Sequence, residues 1–173
     1  MSRRGRNINR RKSDEATGFV TEWEVLASDT IVIPTNSGGT YNCTIDWNGE
    51  AQTTCTAHNV GNSYTFASGG TKTITIEGTL TYWSFGNNPS SKDKITKVLN
   101  WGATGFTNLS LGFYNCQNLV EIVANMQTSI ESIFQCFTLS SLPIIPTDFL
   151  KGCVNLTNVV GAFEFSDLNT FVS

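Results

Sequence analysis

A short pattern that returns three times in the second half of the chain constrains its fold most. An aromatic residue, a cysteine, a leucine and an aliphatic residue follow one another in residues 113–122, 134–142 and 149–159. We expect the cysteines of the three copies at equivalent, buried places as free thiols: Cys116, Cys136 and Cys153. Their spacing of roughly 20 residues predicts a solenoid over residues 101–173, because one coil cannot bury its own apolar side chains.

Both ends of such a stack need a cover. About three coils is the minimum for a stable solenoid, so we expect the preceding part of the chain to cap one end. Ala162 and Phe163 begin a further copy of the pattern that is not completed. We therefore expect the apolar side chains of residues 163–172 to be covered either by the extreme C-terminus or by a partner.

Residues 18–100 have the alternation of short strands. In residues 41–47 the apolar side chains occupy every second position, and Asn48-Gly49 is a strong hairpin signal. Charged residues make up only 14% of the chain, and threonine, serine, asparagine and glycine replace them, which favours strands and turns over helices. These features predict a mainly β fold, with a β-sandwich over residues 18–100.

Residues 1–17 form a basic N-terminal arm, which we expect to be disordered or extended on its own because it contains few apolar side chains. Six basic and no acidic residues fall within residues 1–12, so the rest of the chain holds five bases against 14 acids. This separation of charge predicts a partner for the arm, whereas the acidic remainder makes nucleic acid an unlikely partner. The predicted partner-binding residues are Arg3, Arg4, Arg6, Arg10, Arg11 and Lys12.

Two sets of segments resemble a known family. FVTEWEV, IVIPTNSGGTYNCTIDW and YTFASGGTKTITIEGTL resemble the PKD/Ig-like β-domain of BspA-like surface proteins. VLNWG and SLPIIPTDFLKGCVNLTNVVGAFEF resemble the BspA-type leucine-rich repeats, so that the resemblance covers about residues 18–170. It implies surface exposure and binding to proteins or glycans, and similar modules occur in bacteriophage virion proteins. The chain departs from the family in having few repeats and in the short turn DWNGEAQ, where PKD-like domains have a longer acidic loop.

The function that we expect is that of a non-enzymatic structural or binding protein of a virion surface. The N-terminal segment has no apolar signal-peptide core and no apolar run long enough to span a membrane, which favours release by lysis over export. The arm is then expected to anchor the protein to capsid or tail subunits, as a capsid decoration, head fibre or tail component. The alternative is a bacterial cell-surface adhesin module that binds a host protein or glycan.

Catalytic and metal sites are not expected, nor is a cofactor. The single imidazole, His58, lies in a polar loop, and residues 46–50 read as a hairpin turn rather than a calcium loop. Cys43 and Cys55 flank that turn, facing each other if the loop has three residues and lying on opposite faces if it has two, and we favour buried free thiols. Tyr82 and Trp83 face opposite sides of the chain, and we expect Trp83 to be the surface-exposed aromatic residue of a binding patch.

Overall fold

The computed structural model describes residues 18–86, 89–168 and 170–171. The predicted arm residues lie outside this part of the chain. The strands run in the order β1 (Phe19–Val25), β2 (Thr30–Val32), β3 (Tyr41–Trp47), β4 (Gln52–Cys55), β5 (Ser63–Thr65), β6 (Gly70–Leu80), β7 (Ile95–Asn100), β8 (Glu121–Ile122), β9 (Ile144–Ile145) and β10 (Thr170–Phe171). One short 3₁₀ turn, Pro89–Ser91, precedes β7. The mainly β fold predicted from the sequence is confirmed.

Six of the strands form one mixed sheet in the order β4-β3-β6-β1-β7-β8. Its strands pair antiparallel except for β7 and β8, which pair in parallel. Strand β3 shows the alternation that its sequence predicts, because Tyr41, Cys43, Ile45 and Trp47 are buried on one face. The remaining strands before residue 100, β2 and β5, pair in a separate two-stranded sheet.

Aromatic side chains fill the space under the large sheet. Phe19 of β1 packs edge-on against Trp83 and Phe106, with both pairs of ring centroids 5.0 Å apart, and stacks on Trp101 at 5.8 Å. All four tryptophans of the chain are buried. The hydrophobic core is continuous from β1 to residues beyond 140, and β8 joins the main sheet, so the residues on either side of position 100 share one core and one sheet.

The second half of the chain contains three equivalent ladder segments: residues 108–116, 132–140 and 158–166. Parallel bridges join Tyr82 to Asn108, Asn108 to Ser132, and Ser132 to Asn158. The phenyl rings of Phe113, Phe137 and Phe163 stack in a column with centroid separations of 5.3 and 5.4 Å. One structural repeat therefore extends from Asn108 to Ser132 and the next from Ser132 to Asn158. Both are longer than the spacing between successive cysteines.

The predicted register of the coils, in which the three cysteines occupy equivalent places, is therefore wrong. In each ladder segment the carbonyl of the stacked phenylalanine accepts a hydrogen bond from the amide three residues later. The residues that donate this bond are Cys116, Ser140 and Ser166. Cys136 occupies another position, equivalent to Gly112 and Ala162. Small side chains fit both positions, so the recurrence of cysteine does not mark the register. Cys153 is free as expected but only partly buried.

The turns of the ladder segments depend on left-handed backbone conformations. Leu111, Gln135 and Gly161 are equivalent and have φ values of 56°, 47° and 63°. Asn115, Leu139 and Phe165 form a second equivalent set at 56°, 58° and 53°. Four of these six residues are Leu, Gln or Phe, which rarely adopt such conformations. Each ladder segment thus adopts the same left-handed backbone conformations with different residue types.

Candidate functional site

The ladder segments are joined by backbone hydrogen bonds that all run in one direction. The amides of Leu109, Phe113 and Asn115 donate to Ser132, Cys136 and Thr138 at 2.7–2.9 Å. Ile133, Gln135, Phe137 and Leu139 repeat this one coil later, donating to the carbonyls of Asn158, Val160, Ala162 and Glu164. Each segment therefore donates its amides to the segment that follows it in the chain.

The third ladder segment has no successor among the described residues. By the same periodicity its donors are the amides of Val159, Gly161, Phe163 and Phe165, and none of the four has an acceptor within the described part of the chain. Strand β10 does not accept hydrogen bonds from these amides, because it pairs with β9, which follows the second ladder segment. We call the surface formed by Val159, Val160, Gly161, Phe163 and Phe165 the open end.

The open end is also apolar. Phe165 is 75% exposed, Val160 67% and Val159 52%, whereas the equivalents of Val159 in the earlier segments, Leu109 and Ile133, are fully buried. Phe163 stacks one ring face on Phe137 and is only partly buried. A groove of about 380 Å³, lined among others by Leu111, Leu139 and Glu164, runs along the side of the coils to Phe165. Apolar exposure combined with unpaired donors is typical of a protein-binding surface.

The structure places Trp83 in the core, so the prediction of an exposed Trp83 is wrong. Its side chain is fully buried and packs against Phe19, Phe85 and Phe113, with centroids 5.0, 5.6 and 5.9 Å away. Its amide donates to the carbonyl of Asn108, as Leu109 does to Ser132. Trp83 therefore acts as the preceding member of the ladder and covers the first coil, which requires its side chain to point inward.

Cys43 and Cys55 directly oppose each other on β3 and β4, as the three-residue alternative for the loop predicts. Both are buried and free. A hydrogen bond to Cys55, together with burial, raises the pKa of the Cys43 thiol. Cys43 therefore stays a protonated thiol at neutral pH.

The turn after β3 uses its oxygen atoms within the protein. Asp46 Oδ1 accepts a hydrogen bond from the Gly49 amide at 2.6 Å, and Asn48 Oδ1 accepts one from the Thr73 amide at 3.0 Å. Glu50 is paired with the buried Lys72 at 2.6 Å. These contacts are those of a structural turn, and the described residues contain no group of three or more side chains suited to hold a metal ion.

A polar groove of about 390 Å³ lies beside this turn on the exposed face of the main sheet. Its lining includes Thr44, Asp46, Gln52, Thr75 and Glu77. Hydroxyl, amide and carboxylate groups here face solvent on strands β3, β4 and β6, because the alternation turns their apolar neighbours into the core. The groove offers hydrogen-bond donors and acceptors to a polar ligand.

His58 lies in a network of neutral groups. Its Nδ1 atom is 3.1 Å from Thr35 Oγ1, and its Nε2 atom is 2.9 Å from Asn59 Nδ2. Thr35 is buried and also accepts a hydrogen bond from the Asn59 amide at 3.1 Å. This network fastens the loop after β4 to the segment after β2.

The open end was only partly predicted from the sequence. The apolar residues of 163–172 identify the right region, but the exposed Val159 and Val160 and the four unpaired amides depend on the direction of the ladder bonds, for which the sequence carries no signal.

No family model matches the chain, and no curated protein or solved structure shows a significant match to it. In the described residues no helix has the length and apolar character needed to cross a membrane.

Proposed function

We propose that this protein is a non-enzymatic structural component of a virion surface, attached to capsid or tail subunits through its basic arm. The fold that accompanies this proposal is a PKD/Ig-like β-domain followed by BspA-type leucine-rich coils. The observation that carries the proposal is the separation of charge, with six bases in residues 1–12 against five bases and 14 acids in the rest of the chain.

The ion pairs of the folded part strengthen this charge argument. Four of the five lysines outside the arm are paired with carboxylates: Lys72 with Glu50, Lys94 with Asp29, Lys97 with Glu22 and Lys151 with Asp148. The glutamate at position 22 raises the pKa of Lys97, and the lysine at position 94 lowers that of Asp29. The basic arm is therefore the main cationic feature available to an acidic neighbour.

The location is tested by peptide mass spectrometry on purified phage particles and on the membrane fraction of the producing cells. Abundant peptides from the particles, including those of the arm, support a virion component. Recovery from the membrane fraction or the medium alone contradicts it and favours an adhesin.

The anchoring role of the arm is tested by adding the protein to particles that lack it. Replacing the six basic residues of the arm by glutamine is expected to weaken attachment at least tenfold. The matched control is Lys151→Gln, which removes an exposed positive charge from the folded part. Equal attachment of the arm variant and the control contradicts anchoring by the arm.

The second candidate function, a bacterial cell-surface adhesin that binds a host protein or glycan, is favoured by the polar groove on the main sheet. Hydroxyl and amide groups such as those of Thr44 and Gln52 are suited to hydrogen-bond a glycan. Binding to a glycan array that is lost in a Thr44→Val, Gln52→Ala double variant supports this function. An array without a bound glycan contradicts glycan recognition.

A further inference from the structure

The open end presents hydrogen-bond donors without matching acceptors. In each ladder segment, some amides point toward the following segment. The carbonyls of the same residues already accept hydrogen bonds from within their own segment. In the third segment those of Val159, Gly161 and Phe163 accept from Ala162, Glu164 and Ser166 at 3.1–3.3 Å. The forward side of each segment is therefore a row of amides, and its backward side is a row of carbonyls.

This polarity excludes the pairing of two open ends and the stacking of one copy's ladder segments on those of another. Two open ends placed face to face oppose donors with donors. The carbonyl side of each ladder segment is covered in every copy, because the second and third segments accept from their predecessors. The first segment accepts hydrogen bonds from the residues just before it in the fold. The amides of Trp83 and Phe85 donate to the carbonyls of Asn108 and Leu111 at 3.3 and 3.1 Å.

The apolar groups of the open end define the side chains that fit it. The ring column of Phe113, Phe137 and Phe163 repeats with interplanar angles of 4° and 2°, and the outer face of Phe163 is where the next ring of the column belongs. Val159 and Val160, earlier in the same segment, are exposed, and the counterparts of Val159 in the earlier coils, Leu109 and Ile133, are buried.

We propose that the open end binds an extended segment of a partner protein, which adds a fourth coil by presenting its backbone carbonyls to the four free amides and an aromatic ring to Phe163. This is strand addition, in which main-chain hydrogen bonds give affinity and side-chain positions give specificity. The inference goes beyond the proposed function, because it assigns a second contact surface that does not involve the arm. Failure of the arm experiments leaves it intact.

The probe for this proposal is a synthetic peptide with the sequence of residues 155–168, NLTNVVGAFEFSDL. In the protein this segment presents the carbonyls of Asn158, Val160, Ala162 and Glu164 to the second coil, so the peptide carries the matching acceptors. Fluorescence anisotropy with the labelled peptide and the full chain is expected to show saturable binding. Amide hydrogen exchange is expected to slow at Val159, Gly161, Phe163 and Phe165 when the peptide is bound.

Two controls separate strand addition from general adhesion. The Phe165→Glu variant is expected to weaken peptide binding at least tenfold, whereas Leu26→Glu, at a side chain 74% exposed in the first half of the chain, leaves it unchanged. A peptide in which the position of Phe163 carries alanine is expected to bind at least tenfold more weakly than the parent peptide.

Three results overturn the proposal. The first is the absence of binding at millimolar peptide, and the second is equal binding by the Phe165→Glu and Leu26→Glu variants. The third is slow exchange of the four amides in the full chain alone, because this shows that residues of the same chain already cover them.

Discussion

At the residue scale, a close backbone approach at Gly102 joins the two halves of the chain. Gly102 has a φ of 59°, and a Cβ atom built there lies 2.3 Å from the Gly18 carbonyl carbon and 2.4 Å from the Phe19 amide nitrogen. Backbone atoms cannot rotate away as a side chain does. We expect Gly102→Ala to lower the free energy of unfolding by about 2–4 kcal/mol, from the left-handed conformation and the displaced strand together.

The matched control for this substitution is Gly105→Ala. Gly105 has a φ of 82° but no atom within 4 Å of an added Cβ, so its alanine variant bears only the conformational cost, about 1 kcal/mol. Urea denaturation of both variants measures the difference. Equal losses would show that strand β1 moves away from residue 102 at no cost.

Tyr41 is expected to make the free energy of unfolding depend on pH. Its hydroxyl is buried, donates to the Asn36 carbonyl at 2.8 Å and accepts from the Asn36 amide at 2.7 Å, and burial raises its pKa to about 12. An unfolded tyrosine titrates near 10, so the neutral hydroxyl contributes stability that is complete below about pH 10 and is lost as the pH rises toward 12. The free energy of unfolding, measured in urea between pH 9 and 12, is expected to fall.

The control for the tyrosine is Tyr41→Phe. This variant is expected to start about 1 kcal/mol less stable at pH 7, because two hydrogen bonds to Asn36 are lost, and to show a shallower decline above pH 10. An unchanged slope in the variant assigns the decline to other groups.

At the scale of elements, the column of phenyl rings predicts a gradient of sensitivity. Phe137 lies between Phe113 and Phe163, stacked on both and fully buried, whereas Phe163 stacks on only one ring among the described residues. We expect Phe137→Ala to cost about 3–5 kcal/mol and Phe163→Ala less, about 1–2 kcal/mol. Thermal or urea unfolding of the two variants checks the order, and a larger loss at Phe163 would contradict an open end.

The strands of the sheet could be predicted from the sequence, but the register of the coils could not. In β3 each buried position carries a large apolar or thiol side chain, so alternation alone identifies the inner face. In the coils the equivalent positions hold Cys116, Ser140 and Ser166, which share small size rather than residue type. Leu111 and Gln135 adopt left-handed conformations that their types do not favour, so neither the turn bonds nor the free amides of the candidate site leave a sequence signal.

At the scale of the whole molecule, the sheet and the coils depend on one another for burial. Phe19 of the sheet packs against Trp101 and Phe106 from beyond position 100, and the Trp83 ring lies 5.9 Å from that of Phe113 in the first ladder segment. Separating the two parts exposes these rings, at about 1.5–3 kcal/mol for each large side chain. Neither part retains a closed core without the other.

This shared core predicts a single cooperative unfolding transition for the whole chain. Cys43 is buried on β3, far in sequence from the coils, and Cys136 is fully buried in the second ladder segment, so labelling of the two thiols reports on different parts of the molecule. We expect the urea midpoints of Cys43 and Cys136 labelling, read by peptide mass spectrometry, to coincide in the full chain. Phe137→Leu should lower both midpoints together, because a loss in the coils is transmitted through Trp101 and Trp83 to the sheet. Labelling of Cys136 at a lower urea concentration than Cys43 would instead show that the coils unfold as a separate unit and that the contacts across position 100 contribute little.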